Sequence, residues 1–289
     1  KLQVADLDYQ DSGVRPSFQD LTRGELSELL GATPSPTWSE FPLASIETCA
    51  LVELGEKLNL HAMPAVHTFP LTAPDLLMER DDAHALAALY ASLKPDLHFE
   101  FGTWEGFGTS LCLRNCDAHV WTVNLPHGEA FMGDPLYALS REPNDPRLPS
   151  SSDDQLPSDS SARIGWMYRS LGLSERVTQL LADSRSLDRN NLPLGQCASV
   201  LIDGSHQRQD VVSDTLLAQE LLAPSGICIW HDFNVPESAD HLPTSSRGVV
   251  AAIADLASDL SSDWDLYWVE DSMLLVGSSR GRGTSKDRT

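Results

Sequence analysis

The stretch EFGTWEGFGT, Glu100 to Thr109, sets three glycines directly behind the apolar run LHFEFG (Leu97 to Gly102). Glycine reaches backbone conformations closed to other residues, so the run reads as a strand ending in a sharp turn. Thr109 to Cys116 reads as the next helix and HVWTVN, His119 to Asn124, as a second strand. Strand, glycine turn, helix and strand make a βαβ unit, which closes with parallel strands and a right-handed crossover. The spacing also narrows the ligand. This turn is G-x-x-x-G-x-G, whereas a dinucleotide site wants G-x-G-x-x-G and a P-loop wants a Gly-Lys pair. Glu100, ahead of the turn, would anchor either the turn itself or the amino-acid end of a nucleoside cofactor.

The rest of the chain extends the unit. Asp81 and Asp82 can cap a helix that runs to about Leu93 and stops at Lys94-Pro95. Beyond the second strand come a helix around Ile164 to Leu171, a strand at Val177 to Leu181, and the strand SVLID, Ser199 to Asp203. A helix from about Gln209 to Leu222 leads through the turn Pro224-Ser225-Gly226 into the strand ICIWHD, Ile227 to Asp232. Val249, Val250, Ile253, Leu256 and Leu260 mark one more amphipathic helix. Strands at Leu266 to Val269 and Met273 to Val276 form a hairpin across Glu270-Asp271. The expectation is an α/β fold: a Rossmann-like, doubly wound, mostly parallel seven-stranded sheet with an antiparallel closing hairpin, over residues 81–277.

Residues 1–80 carry no chemical motif and read as a helical cap or oligomerisation segment. Within it Arg23 to Leu30 suits a short helix, and Ile46 to Leu58 puts Ile46, Ala50, Leu51, Leu54 and Leu58 on one helical face. Residues 141–162 are nearly devoid of apolar side chains and are expected to form a mobile loop, and 278–289 a flexible tail.

With 42 acidic against 20 basic residues the formal charge is -22, which disfavours a polyanionic partner such as nucleic acid. Apolar runs are too short to cross a bilayer, so no membrane partner is expected. Five scattered cysteines fit a reducing, cytoplasmic setting, and the pair Cys112 and Cys116 lacks the second pair that a zinc site needs.

The succession EFGTWEGFGTS, VWTVNLP, IGWMYR, VTQLLADS, VLIDGSH, LLAPSGICIWHDF and GVV resembles class I S-adenosylmethionine (SAM)-dependent methyltransferases of the methyltransferase 24 type. Macrocin O-methyltransferase and cephalosporin-hydroxylase-like proteins are relatives of that type. The resemblance implies that Glu100, Gly102, Thr103, Gly106 and Gly108 line the methionine and ribose portion of SAM, with Trp104 in the same turn. Asn124 stands where the family usually carries an acid for the ribose diol, and can bond a diol without charge assistance. Asp183 and Ser184 match the position near the adenine. Asp203 and Asp232 would end neighbouring strands and open onto one crevice, where they could hold Mg²⁺. Asp203 would then border both the cofactor and the reacting groups. His206 and His231 are the candidate general bases, His206 preferred. The function expected is O-methylation of a small molecule or sugar, possible as a homo-oligomer. A hydroxylase-like reaction or a non-catalytic binding role on the same fold are the alternatives.

Overall fold

A computed structural model describes residues 46–60, 66–67, 80–126, 164–234, 244–256, 259–260 and 264–280. The expected helix at Arg23 to Leu30, the loop at 141–162 and all but the start of the tail lie outside these residues.

The elements in chain order are β1 (Ile46–Cys49), α1 (Leu51–Lys57), α2 (Arg80–Leu93), β2 (Leu97–Phe101), α3 (Phe107–Asn115), β3 (His119–Asn124), α4 (Trp166–Ser170), β4 (Val177–Leu181), β5 (Cys197–Ile202), α5 (Arg208–Leu221), β6 (Leu222–Trp230), α6 (Thr244–Asp255), β7 (Trp264–Val269) and β8 (Leu275–Ser279). They build an 8-stranded sheet in the order β1-β7-β8-β6-β5-β2-β3-β4. β8 runs antiparallel to both its neighbours, and every other pairing is parallel. The chain leaves β2 toward β3 and β4, then returns to β5 on the other side of β2. That reversal creates a crevice beyond the carboxyl ends of β2 and β5, where ligands of open α/β sheets bind.

Both faces of the sheet are covered, which is why its strands are apolar runs and not polar-apolar alternations. Phe99, Phe101, Val200, Ile202 and Trp230 pack beneath α5 and α6, against Val211, Leu217, Val250 and Ile253. On the other face Val120, Leu201, Ile229 and Val276 pack beneath α1, α2 and α3, against Leu54, Leu86, Leu89 and Leu111. The period of two along β2 therefore sends Phe99 and Phe101 to one face and His98 and Glu100 to the other. His98 is fully buried there. It bonds Ser199 Oγ through Nδ1 at 2.7 Å and Tyr90 Oη through Nε2 at 3.3 Å. Burial holds it neutral, with its pKa lowered to about 3.

Two corrections concern the amino-terminal part. Ile46 to Cys49 is a strand, not the start of a helix, and it pairs in parallel with β7 as the eighth strand of the sheet. Leu51 then opens α1, so the helical face drawn from Ile46 to Leu58 holds only from Leu51 onward. The segment from Ile46 thus belongs to the sheet rather than to a separate helical cap. At Pro224-Ser225-Gly226 the expected turn lies within β6. The pairing with β5 passes from Cys197–Leu222 to Ser199–Ile227, so the intervening residues bulge out of the ladder.

Candidate active site

The β2–α3 turn depends on glycine at two close approaches of the backbone. Gly102 has φ 96°, and a Cβ there would lie 2.0 Å from the Asp203 carbonyl oxygen. The exits of β2 and β5 therefore touch backbone to backbone. Gly106, with φ 87°, faces Gly165 and Tyr168 at the start of α4, which closes over the turn through Gly165 N–H to Trp104 O at 2.7 Å. At Gly108 an added Cβ would meet Glu100 Oε1 at 2.3 Å. Trp104 holds a left-handed φ of 44°, and its N–H donates to Asn124 Oδ1 at 2.9 Å. The Asn124 amide N–H donates to Leu125 O. Asn124 thus ties the end of β3 to the glycine turn, a tether no sequence pattern announced.

Glu100 points under α3 and is buried. The hydroxyls of Thr109 and Thr122 both donate to its Oε2, the second at 2.6 Å. From Thr122 a polar chain continues through Thr103 Oγ1 at 2.7 Å to Gln179 Nε2 at 2.8 Å, and the Tyr168 hydroxyl donates to Gln179 Oε1 at 3.0 Å. This placement favours the anchoring role over contact with a cofactor. Burial raises the Glu100 pKa to about 8, against the lowering effect of the two threonine hydroxyls. A carboxyl whose pKa is raised in the folded state costs stability as pH climbs from its unfolded value to its folded one. Glu100→Gln removes that cost, so its melting temperature should gain on the parent as pH goes from 6 to 9, a difference thermal unfolding at both pH values would read. An equal offset at the two would show that Glu100 is already ionised at pH 6.

Asp183 and Ser184 follow β4 and are engaged locally. Asp183 caps its own turn through Arg185 N–H at 3.0 Å and pairs with the Arg185 guanidinium. The Ser184 hydroxyl donates to Asp214 Oδ1 at 2.6 Å.

At the carboxyl ends of β5 and β6 four expected residues converge. Asp232 takes a left-handed φ of 58° as β6 ends, and such strain concentrates at functional sites. Its Oδ2 lies 2.9 Å from His206 Nε2 and 3.2 Å from His231 Nδ1. His231 Nδ1 is also 3.1 Å from Asp203 Oδ1. The two histidines differ in access. His206 has 41% of its side chain exposed, whereas His231 has 8%. Burial opposes a charge on His231, but the facing Asp203 and the other carboxylates outweigh it and hold its pKa well above the ordinary histidine value. For His206 burial again opposes the charge and the Asp232 bond prevails, so its pKa is raised. Burial would raise Asp232, but His206 and then His231 hold it well below the usual carboxylate range.

A fifth member was not anticipated. Asp82, on α2, is fully buried, and its Oδ2 lies 3.2 Å from His231 Nε2. Its place at the start of α2 signals only a helix cap in the sequence. Asp203, His206 and Asp232 place one ligand atom each within 4.8 Å of one another, close enough that the three could hold a metal ion.

This strand order, with an antiparallel β8 beside β6 and a glycine turn at the reversal, is a doubly wound, mostly parallel Rossmann-like sheet. Residues 99–233 match the family model described as a methyltransferase domain. The matched segment, a little under half of the chain, is similar to a methyltransferase domain and runs from within β2 to just past β6. No curated protein matches the chain. Among solved structures it is similar to the O-methyltransferase TomG from Streptomyces achromogenes in complex with SAM, at 14% identity over 90% of this chain and 96% of that one, TM-score 0.46. It is similar to the O-methyltransferase from Bacillus cereus in complex with SAH, at 14% identity over 89% and 96%, TM-score 0.44. The SAH-bound methyltransferase of Podospora anserina gives 15% identity over 79% and 86%, TM-score 0.45. Among the described residues no helix is long and apolar enough to cross a membrane.

Proposed function

We propose that the protein transfers the methyl group of SAM to a hydroxyl oxygen of a small molecule or sugar at the crevice between β2 and β5. One observation carries this reading: Asp203, His206 and Asp232 meet beyond adjacent strand ends, beside the glycine turn that Asp203 touches through its backbone. The turn residues Gly102 to Gly108 and Asn124 border the cofactor, with Asp183 and Ser184 toward the adenine. Glu100 supports that wall from inside.

His206 is the base. Its Nε2 faces Asp232, so a neutral ring donates Nε2–H to that carboxylate and keeps the Nδ1 lone pair for the acceptor. In the reaction the acceptor oxygen bonds to the methyl carbon while the carbon–sulfur bond breaks, and the hydroxyl proton passes to His206 Nδ1. S-adenosylhomocysteine leaves as a neutral thioether. His231 is too enclosed to meet an acceptor, and both its nitrogens already face carboxylates. Its place is behind the site.

The donor set also fits a divalent cation. Asp203 and Asp232 would hold Mg²⁺ by one carboxylate oxygen each, with water in its remaining positions, and the ion would supply polarisation of the acceptor oxygen. The imidazole of His206 suits a transition ion better than Mg²⁺. Activity lost in chelator and regained with Mg²⁺ supports the metal; activity indifferent to chelator removes it and leaves His206 and Asp232 to act alone.

Isothermal titration with SAM and S-adenosylhomocysteine tests the cofactor directly, and no heat from either ends the proposal. Asn124→Asp retains an acceptor for Trp104 N–H and brings a charge-assisted partner to a ribose diol. Binding should tighten by about tenfold, the worth of roughly 1.4 kcal/mol. An unchanged affinity would place the ribose elsewhere.

A further inference from the structure

We propose that Asp82 is a positioning residue for methyl transfer, setting the ring of His231 and through it the carboxylates of Asp203 and Asp232. The inference rests on the reading above, in which those carboxylates and His206 carry the chemistry. Asp82 lies on α2, outside the matched family segment, and Met273 lies on the β7–β8 hairpin, equally outside it. The two meet over the site. Asp82 Oδ1 accepts the Met273 backbone N–H at 2.7 Å, and its Oδ2 faces His231 Nε2 at 3.2 Å. With no exposure at all, this carboxylate requires partners for both oxygens, and among the described residues these are the two it meets.

The consequence is directional. An imidazole held at Nε2 cannot turn about its Cβ–Cγ bond without breaking that contact. Its Nδ1 is then fixed toward Asp203 Oδ1 and Asp232 Oδ2, at 3.1 and 3.2 Å. Asp232 in turn sets His206 at 2.9 Å. The order Asp82, His231, Asp232, His206 thus runs from the buried interior to the exposed base. Holding a reacting group to its productive geometry is worth orders of magnitude in rate, and supporting residues supply that precision. A helix that precedes the sheet's first βαβ unit and a hairpin that ends the fold are both fastened to the base through one carboxylate.

Asp82→Asn separates this role from a merely structural one. Asparagine keeps a carbonyl oxygen for the Met273 N–H, so the hairpin stays tied. It replaces the other oxygen by an amide N–H₂ that confronts His231 Nε2 with a donor. The expected result is a kcat lowered about tenfold to a hundredfold, with SAM affinity by titration and KM for the acceptor within about twofold. Asp82→Glu, which retains a carboxylate for the ring, should recover part of the loss. In proton NMR the downfield signal of the His231 Nε2–H, the ring proton that faces Asp82, should be lost in Asp82→Asn and kept in Asp82→Glu, while the Nδ1–H signal toward Asp203 and Asp232 persists in both; His231→Gln removes the two and assigns them. If kcat is unchanged, or if kcat and cofactor affinity fall while KM rises, Asp82 is structural only. If the parent binds SAM yet methylates nothing, the reading above fails. The Nε2–H signal then decides the Asp82–His231 contact alone: kept in Asp82→Asn, it overturns the positioning claim, and lost, it supports it.

Discussion

Gly102→Ala should leave the domain unfolded or close to it. The added methyl would sit 2.0 Å from the carbonyl oxygen of Asp203 and 2.6 Å from the Gly204 Cα. Both are backbone atoms at the ends of central strands, and neither can swing aside as a side chain would. The residue also holds φ 96°, a region costly for any residue with a Cβ. Strain and overlap together put the loss at about 4 kcal/mol or more, the size seen when a mutation acts by a named steric mechanism in a core. Domain stabilities are about 5–15 kcal/mol, so most of the margin would go. Gly172→Ala is the matched control. Its φ is 70°, but nothing lies within 4 Å of the added carbon. It should cost only the conformational penalty, about 1–2 kcal/mol. Urea unfolding of the two variants side by side checks the difference. Equal midpoints would mean that the exits of β2 and β5 are not in backbone contact, and the crevice described here would be lost with them.

How much of this was legible in the sequence depends on where each residue's partner lies. β2, α3 and β3 follow one another with tight punctuation by glycine and by Lys94-Pro95, and the structure reproduces their bounds to within two residues. β1 does not stand out in the sequence because four residues are too few to show a period of two. Only Ile46 and Cys49 face inward, while Glu47 and Thr48 are exposed, and what makes the segment a strand is pairing with β7. Asp82 failed for the same reason on a larger scale. At the start of a helix an aspartate looks like a cap, yet its partner His231 is 149 positions away. Glu100 is an intermediate case. Its place before the turn was plain, and the alternation along β2 settles that it faces α3, but only once the helix is known to cover that face. The strand-end acids are readable because an aspartate follows each strand within two residues, and parallel strands deliver such residues to one edge. Their link through His231 was not readable, since it depends on which side chain is enclosed and which is open.

Replacing His206 should remove most methyl transfer while leaving SAM bound. General-base assistance contributes about 10²–10⁴-fold, so kcat for His206→Ala is expected to fall by that range in a product assay by mass spectrometry. In the proposed reading the cofactor rests on the glycine turn and the end of β3, whereas His206 bonds Asp232, so titration with SAM should give the parent affinity. A stability loss would not produce that pattern. The side chain is 41% exposed, and its truncation leaves the core intact. Added imidazole should enter the space vacated by the ring and restore part of the rate, because Asp232 remains to orient it. Asp232→Asn with His206 present should fall as well and resist rescue, since the orienting carboxylate is what is missing. If His206→Ala keeps its rate within tenfold of the parent, the proton leaves by another route. The geometry then points to Asp203 and Asp232 with a bound cation, which the chelator experiment would show as full dependence on the metal.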